Sequence, residues 1–112
     1  MPQAVREIGA MSLNNKGGFV ANIQFAYFDD NGKRKLTTKK SGDIPLSQTK
    51  EADPGDLGIP DEALCYMYAY VALGKSNQAP EVFLYSKGDP AVAEYEIKGT
   101  TLDNTLTFTR VS

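Results

Sequence analysis

Apolar and polar residues alternate most regularly in the segment Gly17–Asp29, which reads GGFVANIQFAYFD. Successive side chains of an extended chain point to opposite faces, so an apolar residue at every second position is typical of a strand with one buried face. The apolar row comprises Phe19, Ala21, Ile23, Phe25 and Tyr27. Its length and its β-branched and aromatic content predict a central strand that the rest of the chain covers or extends.

A second alternating segment, Leu64–Leu73, predicts another strand of the core. Its smaller side chains are predicted to face the interior between two sheets: Cys65, Met67, Ala69 and Val71. Tyr66, Tyr68 and Tyr70 then share the other face. Either neighbouring strands and lysine stems cover these rings, or the rings form a surface for a ligand or partner, because tyrosine is enriched at recognition sites.

Shorter strand-like segments, separated by turn residues, fill the remainder of the chain. They are Ala4–Ser12, Arg34–Lys40, a short stretch within Ser41–Asp53, Glu81–Ser86, Ala91–Lys98 and Asn104–Val111. Asn31-Gly32 between two such segments is a strong hairpin signal. Seven or eight strands, spaced by about 8–14 residues, predict an all-β fold, an antiparallel β-sandwich of the immunoglobulin-like class. We expect residues 1–112 to form one domain of this kind.

The predicted strand Arg34–Lys40 is rich in positive charge and poor in apolar residues. Its basic cluster comprises Lys33, Arg34, Lys35, Lys39 and Lys40. One interpretation is an edge strand whose lysines prevent edge-to-edge association. The other is a patch that binds anionic lipid headgroups or glycans.

Composition excludes several classes of function. The chain has no histidine, which rules out Ser-His-Asp and Cys-His catalysis and an ordinary zinc site, and we expect no enzymatic activity. The carboxylates of the loop Asp53–Asp61 match no EF-hand spacing, so neither a metal nor another cofactor is predicted. A net charge of −2 argues against nucleic acid as the main partner.

The single cysteine and the absence of long apolar segments bear on location. Cys65 cannot form an internal disulfide, and its apolar neighbours predict a buried, inert thiol. No apolar run approaches 18 residues, and the N-terminal segment lacks the apolar region of a signal peptide. The default expectation is the cytoplasm, with secretion without a cleaved signal as the alternative.

Four motifs stand in a characteristic order along the chain: SLNNKGGFVANIQFAYFDDNGK, SGDIPLSQTK, GIPDEA followed by a strand, and EYEIKGTTL. This order resembles the C-terminal membrane-binding domain of the cholesterol-dependent cytolysins, over about residues 12–108. The resemblance implies a β-sandwich, a membrane lipid or sterol as partner, and a toxin-like or defence-related role. At the position of the family's tryptophan-rich undecapeptide, this chain reads ALGKSNQAPE.

The resemblance also implies where a ligand would bind. The loops at one end of the sandwich would be Asn14–Gly18, Leu46–Lys50, Gly74–Pro80 and Thr100–Leu102. The family's sterol-recognising Thr-Leu pair would fall on Thr101 and Leu102. Alternatively, this pair forms a strand-end turn in which Leu102 covers the end of the core.

Three hypotheses of function follow. The first is a membrane-binding or sterol-binding module that acts through the loops. The second is a glycan-binding module that uses the tyrosine row or loop amides. The third is a self-assembling protein that buries the tyrosines in a homo-oligomer contact. The candidate ligand-binding residues are Asn14, Asn15, Lys16, Tyr66, Tyr68, Tyr70, Ser76, Asn77, Gln78, Thr101 and Leu102.

Overall fold

Strands make up nearly all the regular structure of residues 5–112, the part of the chain that the computed structural model describes. The strands are β1 (Glu7–Ile8), β2 (Ala10–Asn15), β3 (Ala21–Phe28), β4 (Arg34–Leu36), β5 (Thr49–Ala52), β6 (Leu64–Val71), β7 (Asn77–Gln78), β8 (Phe83–Tyr85), β9 (Val92–Gly99) and β10 (Asn104–Val111). One 3₁₀ turn, Pro54–Leu57, precedes β6. Ala4, the first residue of the first predicted strand, lies outside the described residues.

The strands form two sheets, which confirms the predicted all-β sandwich. The large sheet has the order β1-β8-β6-β3-β4, with β7 also paired to β6, and the small sheet has the order β10-β9-β2-β5. The prediction of purely antiparallel sheets is wrong, because β1 pairs with β8 and β2 with β9 in parallel. Both parallel pairs join segments that are distant in sequence. No hairpin motif therefore predicts these pairings.

The predicted first strand is two strands in different sheets. β1 belongs to the large sheet and β2 to the small one, with Gly9 between them. An added Cβ at Gly9 would lie 1.9 Å from the carbonyl oxygen of Asp89. The chain therefore crosses between sheets at a point where only glycine fits.

The core lies between the sheets and uses the residues predicted from alternation. Ile23 and Phe25 of β3 are fully buried. On β6, the predicted inward row of Cys65, Met67, Ala69 and Val71 is also buried. The small sheet contributes Met11, Leu13, Ala93, Tyr95 and Ile97. Each large aliphatic side chain buried in this way stabilises the fold by about 1.5–3 kcal/mol.

The outer face of β3 is buried as well, except at Phe28, which is 39% exposed. The amide of Gln24 donates to the Thr37 carbonyl (2.5 Å), and that of Asn22 donates to Asp43 (3.1 Å). The segment after β4 therefore runs beside β3 and covers its polar row. Sequence alone could not show this, because the covering residues follow a hairpin and an irregular segment.

The basic strand is shorter than predicted, Arg34–Leu36 instead of Arg34–Lys40. Beyond Leu36, Thr37 N and Ser41 N still donate to the carbonyls of Phe25 (2.9 Å) and Ile23 (3.0 Å) of β3. Hydroxyl groups accept the return bonds: Thr37 Oγ1 accepts from Phe25 N (3.1 Å), and Ser41 Oγ accepts from Ile23 N (2.8 Å). The hairpin before β4 is confirmed, with Gly32 at φ +75°. Its turn is held by Asp29 Oδ1, which accepts from the amides of Asn31 and Lys33, both at 2.9 Å.

Candidate functional site

Four loops meet at one end of the sandwich, which we call the tip. The parallel strands β2 and β9 both end here, as does β6, and β3 and β10 begin here. Backbone hydrogen bonds connect neighbouring loops: Lys75 N to Thr101 O (2.8 Å), Gly18 N to Gly99 O (3.1 Å) and Ser47 N to Asn15 O (2.7 Å). The tip loops span residues 16–20, 43–48, 72–76 and 100–103.

Asn15 fastens two of these loops from inside. Its side chain is fully buried, and Nδ2 donates to the carbonyls of Phe19 (2.6 Å) and Ile44 (2.8 Å). Its Oδ1 accepts from Gly17 N (2.8 Å). All the hydrogen-bonding capacity of this predicted ligand residue is thus directed into the protein, which assigns it a structural task.

The two other candidates in the first loop differ from Asn15 in exposure. Asn14 is half-buried in β2, opposite Glu96. Lys16 is exposed, and its Nζ lies 3.0 Å from Glu96 Oε2. This partner lowers the pKa of Glu96, with burial opposing it. Both candidates therefore lie beside β9, at the border between the tip and the small sheet.

A second network of amide hydrogen bonds connects the loops that follow β6 and β9. Asn104, missed as a functional residue, donates from Nδ2 to the carbonyls of Lys75 (3.0 Å) and Thr100 (3.2 Å) and accepts from Asn77. Ser76 Oγ accepts from Val71 N (3.0 Å). The predicted ligand residues Ser76 and Asn77 thus also make internal hydrogen bonds. No sequence signal singled out Asn104, because its partners come from two separate segments.

Gly74 and Thr101 are in direct backbone contact. An added Cβ at Gly74 would lie 2.2 Å from the Thr101 carbonyl oxygen, so only glycine fits at this position. Thr101 is half-exposed, and the side chain of Leu102 is 74% exposed. The alternative in which Leu102 covers the core is therefore wrong, since the side chain projects from the turn.

Leu102 is accompanied by two further exposed leucines, Leu46 at 55% and Leu73 at 98%. Leu73 also adopts φ +58°, and Ser47, next to Leu46, adopts φ +70°. A left-handed backbone is unusual for a bulky residue and costs about 1 kcal/mol or more. Continued alternation along β6 would direct Leu73 to the core. The left-handed residue breaks that alternation and turns Leu73 outward.

The three tyrosines of β6 lie on the outer face of the large sheet, and Tyr70 is the one nearest to the tip. Their rings are half-buried. Lys40 Nζ lies 4.8 Å from the ring centroid of Tyr70, and the ring of Phe28 meets that of Tyr66 edge-on at 6.1 Å. Gln78, the remaining candidate, lies opposite Tyr68 and accepts from Arg34 Nε at 3.1 Å.

The acidic loop Asp53–Asp61 is attached to β8 by a side-chain hydrogen bond. Asp53 is engaged by Tyr85, whose hydroxyl donates to it at 2.6 Å. Within residues 5–112, acidic and thiol side chains nowhere gather in threes as a metal site would require. No helix in the same range is long and apolar enough to cross a bilayer.

The fold and site define an all-β sandwich with an apolar tip, and comparison with solved structures adds a resemblance. Neither the family models nor the curated proteins include a match. The structure of listeriolysin O matches 90% of this chain, with 16% sequence identity and a TM-score of 0.48. The structure of a disulfide-locked intermedilysin with human CD59 matches 93% of it, with 15% sequence identity and a TM-score of 0.47. The membrane-binding domain of pneumolysin matches 91% of this chain, with 18% sequence identity and a TM-score of 0.48.

These structures belong to the cholesterol-dependent cytolysins, the family that the order of sequence motifs predicts. The chain spans only 22–24% of the length of listeriolysin O and intermedilysin, but its match covers 96% of the isolated pneumolysin domain. At these identities and TM-scores the likeness is one of strand arrangement. This likeness does not identify a ligand for this chain.

Proposed function

We propose that this chain is a non-enzymatic module that binds a membrane surface by inserting the exposed leucines of the tip. The observation that carries the proposal is Leu73, which is 98% exposed on a left-handed backbone and therefore receives no packing energy in return for its strain. Leu102 and Leu46 project from the neighbouring tip loops. A bilayer would bury all three side chains from the same side.

The expected strength of binding follows from the area that these leucines remove from water. Full burial of a leucine side chain is worth about 1.5–3 kcal/mol, so three supply roughly 5–9 kcal/mol. Association costs at least about 4 kcal/mol in lost translational and rotational freedom. The remainder corresponds to weak, reversible binding, of the order given by a single myristoyl chain.

Electrostatic attraction adds little at the tip. Lys75 stands two residues from Leu73, and Asp103 directly follows Leu102, so the nearest charges are of opposite sign. A surface that balances its charges gains little from anionic lipids. We therefore expect a neutral bilayer to bind as well as an anionic one.

Within this function, Thr101 and Leu102 are the proposed contacts to a sterol. The Thr101 carbonyl is fixed by Lys75 N, while Leu102 is free to enter the lipid. A hydroxyl beside a projecting apolar side chain suits a ligand that has one polar end and an apolar body. Cholesterol in the bilayer is then expected to strengthen binding.

Co-sedimentation with phosphatidylcholine vesicles, prepared with and without cholesterol, tests the proposal. Leu73→Asn and Leu102→Asn should each weaken binding by about ten- to a hundred-fold, the equivalent of one buried leucine. Leu64→Asn is the matched control, because Leu64 is 39% exposed at the start of β6, away from the tip. This control should bind as the parent chain does.

Two results would overturn the proposal. One is the absence of vesicle binding by the parent chain at every cholesterol content. The other is an equal loss of binding for Leu64→Asn and the two tip variants. Unchanged binding of the two tip variants would overturn it as well. If the tip variants lose binding as expected but cholesterol has no effect, the membrane function stands and the assignment of the sterol contact to Thr101 and Leu102 is wrong.

A further inference from the structure

The outer face of the large sheet carries a second surface, separate from the tip. We call it the tyrosine face and define it by Tyr66, Tyr68 and Tyr70, which lie on one side of β6 because the intervening residues are buried in the core. Alternate residues of a strand are about 7 Å apart, so the three rings form a row roughly 13 Å long. Each ring is half-exposed.

Two cations lie over this row without an acidic partner. Arg34 reaches from β4 towards β7, where its Nε donates to Gln78 Oε1 at 3.1 Å and its Nη2 donates to the same oxygen. Since β3 and β6 lie between those strands, the guanidinium crosses the tyrosine face. Lys40 Nζ lies 4.8 Å above the ring of Tyr70.

The partners of both cations are neutral. Within residues 5–112, neither Arg34 nor Lys40 forms a salt bridge, whereas the neighbouring Lys35 has Asp29 at 3.7 Å. A guanidinium has five N–H donors in a planar fork that fits a carboxylate, and Gln78 occupies only some of them. An arriving carboxylate could displace the neutral amide and gain a charge-assisted pair.

The other groups of the face are already committed. The side chains opposite Tyr68 and Tyr70 are Gln24 and Asn22, both about 5% exposed and hydrogen-bonded to the segment after β4. Opposite Tyr66 lies the small side chain of Ala26. The carboxylate of Asp43 is held by Asn22, and Phe28 stacks edge-on against Tyr66. The groups that remain to meet a ligand are therefore the tyrosine rings with their hydroxyl tips and two positive charges.

From this combination we propose that the tyrosine face binds an oligosaccharide that carries a carboxylate group. Sugar rings are apolar on their faces and hydroxylated at their edges, which matches tyrosine, with its apolar body and polar tip. Arg34 would receive the carboxylate, and Lys40 would add a second positive charge beside Tyr70. The choice of an acidic sugar over a neutral one depends on the two unpaired cations.

The test titrates the full chain with sialyllactose, which carries a carboxylate, and with lactose, its neutral counterpart, while amide chemical shifts are recorded by NMR. Sialyllactose should bind at least ten-fold more tightly than lactose and should shift the amides of β6. Arg34→Gln should reduce this affinity about ten-fold or more. Arg34→Lys, which retains the charge without the fork, should give an intermediate loss.

Lys87→Gln is the charge-matched control, because Lys87 is exposed in the turn after β8 and should leave the affinity unchanged. Arg34 is an exposed residue, so its replacement should not unfold the chain. Equal affinity for lactose, no effect of Arg34→Gln, equally tight binding of oligoglutamate, or no shifts at millimolar sugar would each overturn the proposal. The probes are free sugars, so the result does not depend on whether the tip binds membranes.

Discussion

At the scale of single residues, the tip is held together by two side-chain amides, one fully buried and one half-buried. Asn15 satisfies two carbonyls and one N–H of neighbouring segments, and Asn104 joins the loops after β6 and β9. Both residues lie at strand ends, where asparagine is usually expected to be exposed, in a turn or in contact with a ligand. The sequence shows that an amide is present but not that its partners lie about 30 positions away, so this structural role could not be predicted.

Replacing Asn15 by alanine should destabilise the fold by about 2–4 kcal/mol, because it leaves the Phe19 carbonyl and the Gly17 N–H group without partners and removes one of the two bonds to the Ile44 carbonyl. Asn14→Ala is the control, since Asn14 is half-buried and its amide makes no hydrogen bond within residues 5–112. That change should cost less than about 0.5 kcal/mol. Urea unfolding measures both values, and equal losses for the two variants would contradict the assigned role.

At the scale of elements, alternation predicted the strands with strong local signals and failed where other segments intervene. β6 and β10 were predicted within two residues of their bounds, and the inward row of β6 is confirmed. β4 was predicted too long, because beyond Leu36 the hydroxyls of Thr37 and Ser41, instead of backbone carbonyls, accept from the N–H groups of β3. The predicted first strand is divided between two sheets at Gly9, a close approach that only the folded chain creates.

The 3₁₀ turn between β5 and β6 is attached to β8 by a titratable contact. The Asp53 carboxylate accepts from Gly55 N and from the buried hydroxyl of Tyr85. Burial, reinforced by Asp53, raises the pKa of Tyr85 from 10.0 to about 12. Since the folded state favours the neutral phenol, the associated stabilisation is complete below about pH 10 and is lost as the pH rises towards 12.

Unfolding by urea at a series of pH values tests this contact. The free energy of unfolding of the parent chain should fall between about pH 10 and 12, and the fall should be smaller in Tyr85→Phe. Part of the fall should remain, because burial also raises the pKa values of Tyr95 and Cys65. Identical pH profiles for the parent and Tyr85→Phe would show that the Tyr85 hydroxyl does not contribute.

At the scale of the whole molecule, the topology places two different surfaces on different sides of the sandwich. The tip closes one end of the sandwich, whereas the tyrosine face runs along the outer side of the large sheet. The order of motifs predicted the sandwich and the approximate loops of the tip. It did not predict Leu73 as the most exposed leucine, because that depends on a left-handed backbone, or the bridge from Arg34 to Gln78 across 44 positions.

A fluorophore at position 73 reports whether the leucine-bearing tip enters the bilayer. Leu73→Cys and the control Leu64→Cys are each labelled with an environment-sensitive dye. Cys65 should remain unlabelled, because its thiol is buried and burial raises its pKa to about 12. With cholesterol-containing vesicles, we expect a blue shift and quenching by lipid-borne quenchers at position 73 and neither at position 64. An unchanged spectrum at 73, or equal changes at both positions, would contradict insertion of the tip.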